Sequence, residues 1–198
     1  MQSIREFIIE LQQPLNETFK TEGGIELYGD KDFSVDRLSN RIAKVISTPL
    51  FHKTEIKAGY EVMIEPTILY RQIYQGVKQD YTSLIDKSNM FFKVTPNMII
   101  LFRENDTCEW QGNLENVMVE PIEEVEPVIS TFLIIPKSAN KKYKKERVKL
   151  MYANTEIKEQ GAKNGDEVII NPMGGVKFWI EGKEYWWMRN CDIFAVAL

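Results

Sequence analysis

Lys57-Ala58-Gly59-Tyr60-Glu61-Val62-Met63-Ile64-Glu65-Pro66 reappears as Lys163-Asn164-Gly165-Asp166-Glu167-Val168-Ile169-Ile170-Asn171-Pro172, with six of ten positions identical. Each copy reads as a glycine turn, a short apolar strand and a closing proline, because proline has no N–H to give to a ladder. The match extends outward from this core. Phe7-Ile8-Ile9-Glu10 answers Val117-Met118-Val119-Glu120. Met90-Phe91-Phe92-Lys93-Val94 and Met98-Ile99-Ile100-Leu101-Phe102 answer Tyr185-Trp186-Trp187-Met188-Arg189 and Ile193-Phe194-Ala195-Val196-Ala197. The shift between copies is 110 residues at the start, 106 in the middle and 95 at the end. Order is kept, and eleven extra residues fall in the first copy between Tyr70 and Lys87. The expectation is two copies of one small domain, residues 1–106 and 107–198.

The 198 residues are 43% hydrophobic and 27% charged, the balance of a globular chain rather than a disordered one. The charge divides evenly, with 13 basic and 15 acidic side chains up to residue 106 and 12 and 14 after it. A net charge of −4 argues against a protein built to hold nucleic acid, and no nucleic-acid partner is expected. No run of about 20 apolar residues suggests a membrane span, and the start Met1-Gln2-Ser3-Ile4-Arg5-Glu6 does not read as a signal peptide. Two cysteines, Cys108 and Cys191, make no disulfide framework, so a reducing cytoplasm is the expected location. The single histidine, His52, argues against His-based metal sites and His-dependent catalysis, and an exposed position is expected for it.

Val, Ile, Phe, Tyr and Trp occur in short runs bounded by Gly, Pro, Asn and Asp, the pattern of strands. Lys177–Ile180, Glu181-Gly182-Lys183 and Glu184–Met188 read as a hairpin about a glycine turn. No window carries a helical stripe with both caps. The fold class is therefore all-β, a pair of short-stranded barrels or sandwiches.

One segment of each copy is not patterned for burial: Asn16 to about Asn40, and Glu123 to about Arg147. Loops of such length in a small domain are usually functional or disordered. Each holds an aliphatic island in a polar run, Gly23-Gly24-Ile25-Glu26-Leu27 in the first and Leu133-Ile134-Ile135-Pro136 in the second. Such an island either tucks back onto its own barrel or docks in a partner's hydrophobic groove.

Gly23-Gly24-Ile25-Glu26-Leu27, then Arg41–Ile46, then Gly59–Ile64 resembles the co-chaperonins of the GroES family. Copy two resembles the family's C-terminal half, through Gly165–Ile170, Gly174–Lys177, Glu184–Met188 and Cys191–Val196. Tandem copies also resemble the double-module co-chaperonin of chloroplasts. The resemblance implies two tandem, partly open β-barrels, each with a long loop that is mobile until it meets a chaperonin. It implies a GroEL-type chaperonin partner, bound through Ile25, Glu26 and Leu27 in copy one and Leu133, Ile134 and Ile135 in copy two. It further implies a homo-oligomeric ring that caps the cavity in which unfolded clients fold. ATP belongs to the chaperonin, so no cofactor and no enzymatic activity are expected. The alternative is a structural or assembly ring protein, cellular or viral, that uses the same fold without chaperonin binding; a viral version would act in the host cytoplasm.

Other residues carry a bland reading beside a functional one. The basic run Lys137–Lys149 reads as a solvated loop rather than a phosphate contact. Phe178, Trp179, Trp186 and Trp187 read as alternating core and contact residues rather than a stacking platform. The Tyr70–Lys87 insertion, with Tyr70, Ile73, Tyr74, Tyr81, Leu84 and Ile85, reads as an interface or a cavity lining. The short connections from Val45 to Gly59 and from Met151 to Gly165 leave the dome of such a ring open at its top.

Overall fold

The computed structural model describes residues 2–14, 18–20, 26–28, 39–124, 143–172, 174–180 and 183–197. They form two units, Met1–Asn113 and Leu114–Leu198. Both are built almost wholly of strands, as the residue pattern predicts.

The first unit runs β1 (Phe7–Glu10), β2 (Thr18–Lys20), β3 (Glu26–Tyr28), β4 (Ile42–Ser47), β5 (Glu61–Ile64), β6 (Arg71–Tyr74), β7 (Val77–Tyr81), β8 (Leu84–Asp86), β9 (Phe91–Val94), β10 (Ile99–Arg103) and β11 (Gln111–Gly112). Seven of them form one antiparallel sheet in the order β11-β10-β5-β4-β1-β9-β8. The second unit runs β12 (Asn116–Glu123), β13 (Tyr143–Tyr152), the short helix α1 (Thr155–Glu159), β14 (Glu167–Ile170), β15 (Val176–Ile180), β16 (Lys183–Arg189) and β17 (Ile193–Val196). Its six strands take the order β15-β16-β12-β13-β14-β17. Both are open sheets with two edges, in keeping with a partly open barrel.

Reading β1 as β12, β4 as β13, β5 as β14, β8 as β15, β9 as β16 and β10 as β17 turns one order into the other. The correspondence reaches single residues. Ile9 faces Val45 and Phe92; Val119 faces Leu150 and Trp186. The register shifts between Ile8 and Ile9 in one unit and between Met118 and Val119 in the other. It shifts again beside Ile99 opposite Ile64, and beside Ile193 opposite Ile170. Irregularities at matching places bend matching strands.

The register corrects one alignment. Phe92 matches Trp186 and Val94 matches Met188, so the shift at the C-terminal end is 94, not 95, and the first copy carries twelve extra residues. A slip of one residue would exchange the two faces of a strand.

The cores follow from this register. Phe7, Ile9, Val45, Val62, Ile64, Phe92, Val94 and Ile99 fill the first; Val117, Val119, Val148, Leu150, Val168, Ile170 and Met188 fill the second. Alternation is clean where one face meets solvent, as in Val148, Lys149 and Leu150 of β13, buried, exposed and buried. It vanishes in β10, where Ile99, Ile100, Leu101 and Phe102 are all buried.

Twelve extra residues of the first unit build the β6–β7 hairpin. Gln75 and Gly76 both have positive φ, 48° and 76°, the geometry of a two-residue turn that matches strand twist. Tyr81 anchors it, buried against Phe92 and under the Arg71 guanidinium 3.9 Å from its ring centroid. Tyr70, Ile73, Tyr74, Val77 and Ile85 stay exposed.

Three local expectations differ from the structure. Tyr143–Lys149 lie in β13, so the strand begins inside the segment expected as loop. Alternate burial of Val148 and Leu150 against Val168 and the core makes it a strand despite its basic side chains. The connection after Met151 holds α1, for which Asn154 supplies the N-cap by accepting from the Ile157 N–H at 2.9 Å. His52 is half-buried rather than exposed.

Candidate functional site

Both long loops leave their sheets at the same place, the turn-distal end of the β1–β4 pair and of its counterpart β12–β13. In the first unit Glu10 still pairs with Lys44, and beyond it the Asn40 N–H donates to the Pro14 carbonyl at 2.8 Å. In the second, Glu123 pairs with Tyr143. A loop pinned at both ends of its neck has a fixed point of departure, because the ladder beneath it is packed into the core. The neck of the second loop is charged. Glu124, Lys144, Lys145, Glu146 and Arg147 line a shallow groove of about 410 Å³. The Arg147 guanidinium lies 3.1 Å and the Lys144 ammonium 3.9 Å from one Glu167 carboxylate oxygen, so part of the basic run is neutralised within the fold.

Of the six candidate binding residues, Glu26 and Leu27 fall in β3, which pairs with β2 so that Leu27 stands opposite Phe19 and Glu26 opposite Lys20. A short antiparallel pair of strands thus lies within the first loop. Ile25, Leu133, Ile134 and Ile135 lie outside the described residues.

The aromatic cluster of the second unit is divided between core and surface. Phe178 is buried; Trp186 packs against the core and stands edge-on to Tyr143, with ring centroids 6.1 Å apart; the Trp187 indole N–H donates to Asn116 Oδ1 at 2.9 Å. With Phe178 inside, the four rings form no common stacking face. Among the described residues no group of three or more His, Cys, Asp and Glu side chains is placed to hold a metal. Asp86 accepts hydrogen bonds from the two residues Ser88 and Asn89 that follow it in the turn after β8. The Asn89 side chain and main chain, and then the Ser88 N–H, hydrogen-bond its carboxylate and hold it below the usual aspartate range.

One contact went unread in the residue pattern. Trp110-Gln111-Gly112-Asn113 docks on the outer side of β10. Trp110 is buried with the Arg103 guanidinium 4.3 Å from its ring centroid, and two nitrogens of Arg103 reach Glu61 Oε2 at 2.6 Å. The only signal was a tryptophan at the very start of the second copy.

Each unit is a small antiparallel β module whose paired strands, β1 with β4 and β12 with β13, are joined by a long connection. The family model described as "Chaperonin 10 Kd subunit" (Cpn10) matches residues 111–197, from β11 through β17. The Co-chaperonin GroES of Porphyromonas gingivalis strain ATCC 33277 is 33% identical over 82 residues, which cover 41% of this chain and 91% of that relative. The Co-chaperonin GroES of strain W83 matches equally, at 33% over 82 residues. The chain belongs to the GroES-type chaperonin 10 family.

Proposed function

We propose that the protein is a co-chaperonin with two GroES-like modules, which caps an ATP-dependent GroEL-type chaperonin and so assists folding of client proteins in the closed cavity. The observation that carries this reading is the repeated topology: a family match over residues 111–197, and a first unit with the same strand order, register shifts and loop position. On this reading Ile25, Glu26 and Leu27 of one loop and Leu133, Ile134 and Ile135 of the other bind hydrophobic grooves of the chaperonin. A short aliphatic segment buries too little surface for tight binding alone. Several loops on one ring add their effects, which gives an avidity that a modest change in the chaperonin can reverse. The chain does no chemistry of its own; nucleotide is bound and hydrolysed by its partner, and the place of action is the cytoplasm.

The test is a mixture of the purified chain with a GroEL-type chaperonin and ATP, followed by electron microscopy and sedimentation. A capped complex that requires ATP is expected, and Leu133→Ser with Ile135→Ser should abolish it without unfolding the chain. A complex indifferent to these changes would remove the loop assignment. No complex at all would favour a structural ring protein of the same fold.

A further inference from the structure

The chain contains a single Asn-Gly pair, Asn164-Gly165, in the turn between α1 and β14. Asparagine is a chemically labile residue, most of all before glycine, where no side chain shields the following N–H from the asparagine amide carbon. Gly165 fills the positive-φ place of the turn, and the Asp166 N–H closes it on the Lys163 carbonyl at 3.1 Å. Both groups that can react are engaged. The Gly165 N–H donates to the Leu150 carbonyl at 2.6 Å, and Asn164 Oδ1 accepts from the Ala153 N–H at 3.0 Å. Leu150 and Ala153 are fully buried, so the core fixes both partners. Asn164 and Gly165 are themselves exposed, so water reaches them. The first unit makes the same turn, with the Gly59 N–H on the Val45 carbonyl, but Ala58 stands where the second unit has Asn164. Only one module carries the reactive pair.

We infer that Asn164 is a self-modifying site gated by the β13–β14 turn: it converts to aspartate and isoaspartate when the Gly165–Leu150 hydrogen bond opens, and the isoaspartyl form then hinders closure of the turn. On opening, the Gly165 N–H gives its proton to a solvent base, and its nitrogen bonds to Asn164 Cγ. The Cγ–Nδ2 bond breaks, and the side-chain nitrogen takes up a proton and leaves as ammonia. The product is a five-membered succinimide, which one water molecule opens. Cleavage of the new N–Cγ bond gives aspartate. Cleavage between the same nitrogen and the main-chain carbonyl carbon gives isoaspartate, with the main chain one methylene longer. That methylene moves the Gly165 N–H away from the Leu150 carbonyl and works against the register that sets Val168 opposite Val148. The aspartyl form keeps the original chain length and an oxygen for the Ala153 N–H, and its new charge lies at an exposed position. The inference concerns one turn and needs no chaperonin, so its failure leaves the proposed function untouched.

Peptide mapping by mass spectrometry tests it, on the full chain incubated folded, and unfolded in urea, at the same mildly alkaline pH. Asn164 should convert roughly tenfold or more slowly in the folded chain, because two hydrogen bonds must open first. In urea too dilute to unfold the chain, conversion should accelerate in step with hydrogen exchange of the Gly165 amide. Isoaspartyl chain, formed unfolded, refolded and separated by chromatography, should unfold at lower urea than the unaltered chain. Asn164→Asp, which adds the charge without the methylene, should unfold close to the unaltered chain. Equal conversion in the folded and unfolded chain, conversion that does not follow Gly165 exchange, or an isoaspartyl chain as stable as Asn164→Asp overturns the proposal.

Discussion

The Gly165 N–H donates to the Leu150 carbonyl at 2.6 Å, closing the turn that lays β14 beside β13. In the first unit the Gly59 N–H donates to the Val45 carbonyl at 2.8 Å in the same turn. Their φ values are +100° and +92°, a region that side chains with a Cβ rarely adopt. A Cβ on Gly59 would touch nothing within 4 Å, and one on Gly165 would meet only the Lys149 Cε at 3.9 Å. The cost of alanine is therefore one of backbone conformation alone. Gly59→Ala and Gly165→Ala should each lower stability by about 1–2 kcal/mol, to a similar degree, as read by urea unfolding. A large difference between them would mean that the two turns are not equivalent.

Asn154 is 1% exposed and joins three segments. Its amide donates to the Asn190 side chain at 2.7 Å and to the Asn116 carbonyl at 3.3 Å, while its Oδ1 caps α1. Asn154→Ala removes the cap and takes a donor from both Asn190 Oδ1 and the Asn116 carbonyl, at a cost of about 2–3 kcal/mol. Thermal unfolding should show this loss; Asn154→Asp, which keeps the cap but sets a buried carboxylate oxygen against the Asn190 and Asn116 oxygens, should lose at least as much.

Asp86 should titrate below an ordinary aspartate. The Asn89 side-chain amide, 2.8 Å from its carboxylate, is the largest cause, joined by the N–H groups of Asn89 and Ser88. A depressed folded pKa means that the charged form favours folding above the unfolded pKa, and that this contribution is lost as pH falls through the folded pKa. Carboxyl titration followed by NMR should place Asp86 low, and Asn89→Ala should move it upward. An unmoved value would assign the effect to the main-chain donors.

The two loops should not bind equally. Glu26 puts a charge between Ile25 and Leu27, whereas Leu133, Ile134 and Ile135 are uniformly apolar. Burying a carboxylate without a partner is costly. Leu133→Ser with Ile135→Ser should therefore weaken chaperonin binding more than Leu27→Ser, and Glu26→Ile should strengthen it. Surface plasmon resonance against an immobilised chaperonin with ATP compares the three; the reverse order would make the first loop the main anchor.

How much was legible depended on how strongly one face of each segment differs from the other. Gly59 and Gly165, with Pro66 and Pro172 seven residues on, mark turn and strand end by backbone chemistry, and the middle of the repeat is aligned without ambiguity. Met98–Phe102 and Ile193–Ala197 are apolar at almost every position, so composition cannot distinguish a shift of 95 from one of 94. Only the pairing of Ile99 with Ile64 and of Ile193 with Ile170 tells them apart. Likewise the charges of Lys144–Arg147 hide a strand that Val148 and Leu150 hold in place. For the candidate loops, Glu26 and Leu27 are seen in a hairpin, and the remaining four residues lie outside the described parts.

By itself the amino-acid sequence determined the all-β class, the repeat and the position of the two long loops, because turn glycines, terminal prolines and apolar runs act locally. Tertiary structure alone decided which face of each strand is inside, that Asn113 closes the edge of β10, and that among the described residues β17 is the last strand of its sheet. Those depend on pairings between segments far apart in the chain, where a hydrogen bond between main-chain groups carries no trace in the identity of the residues that make it.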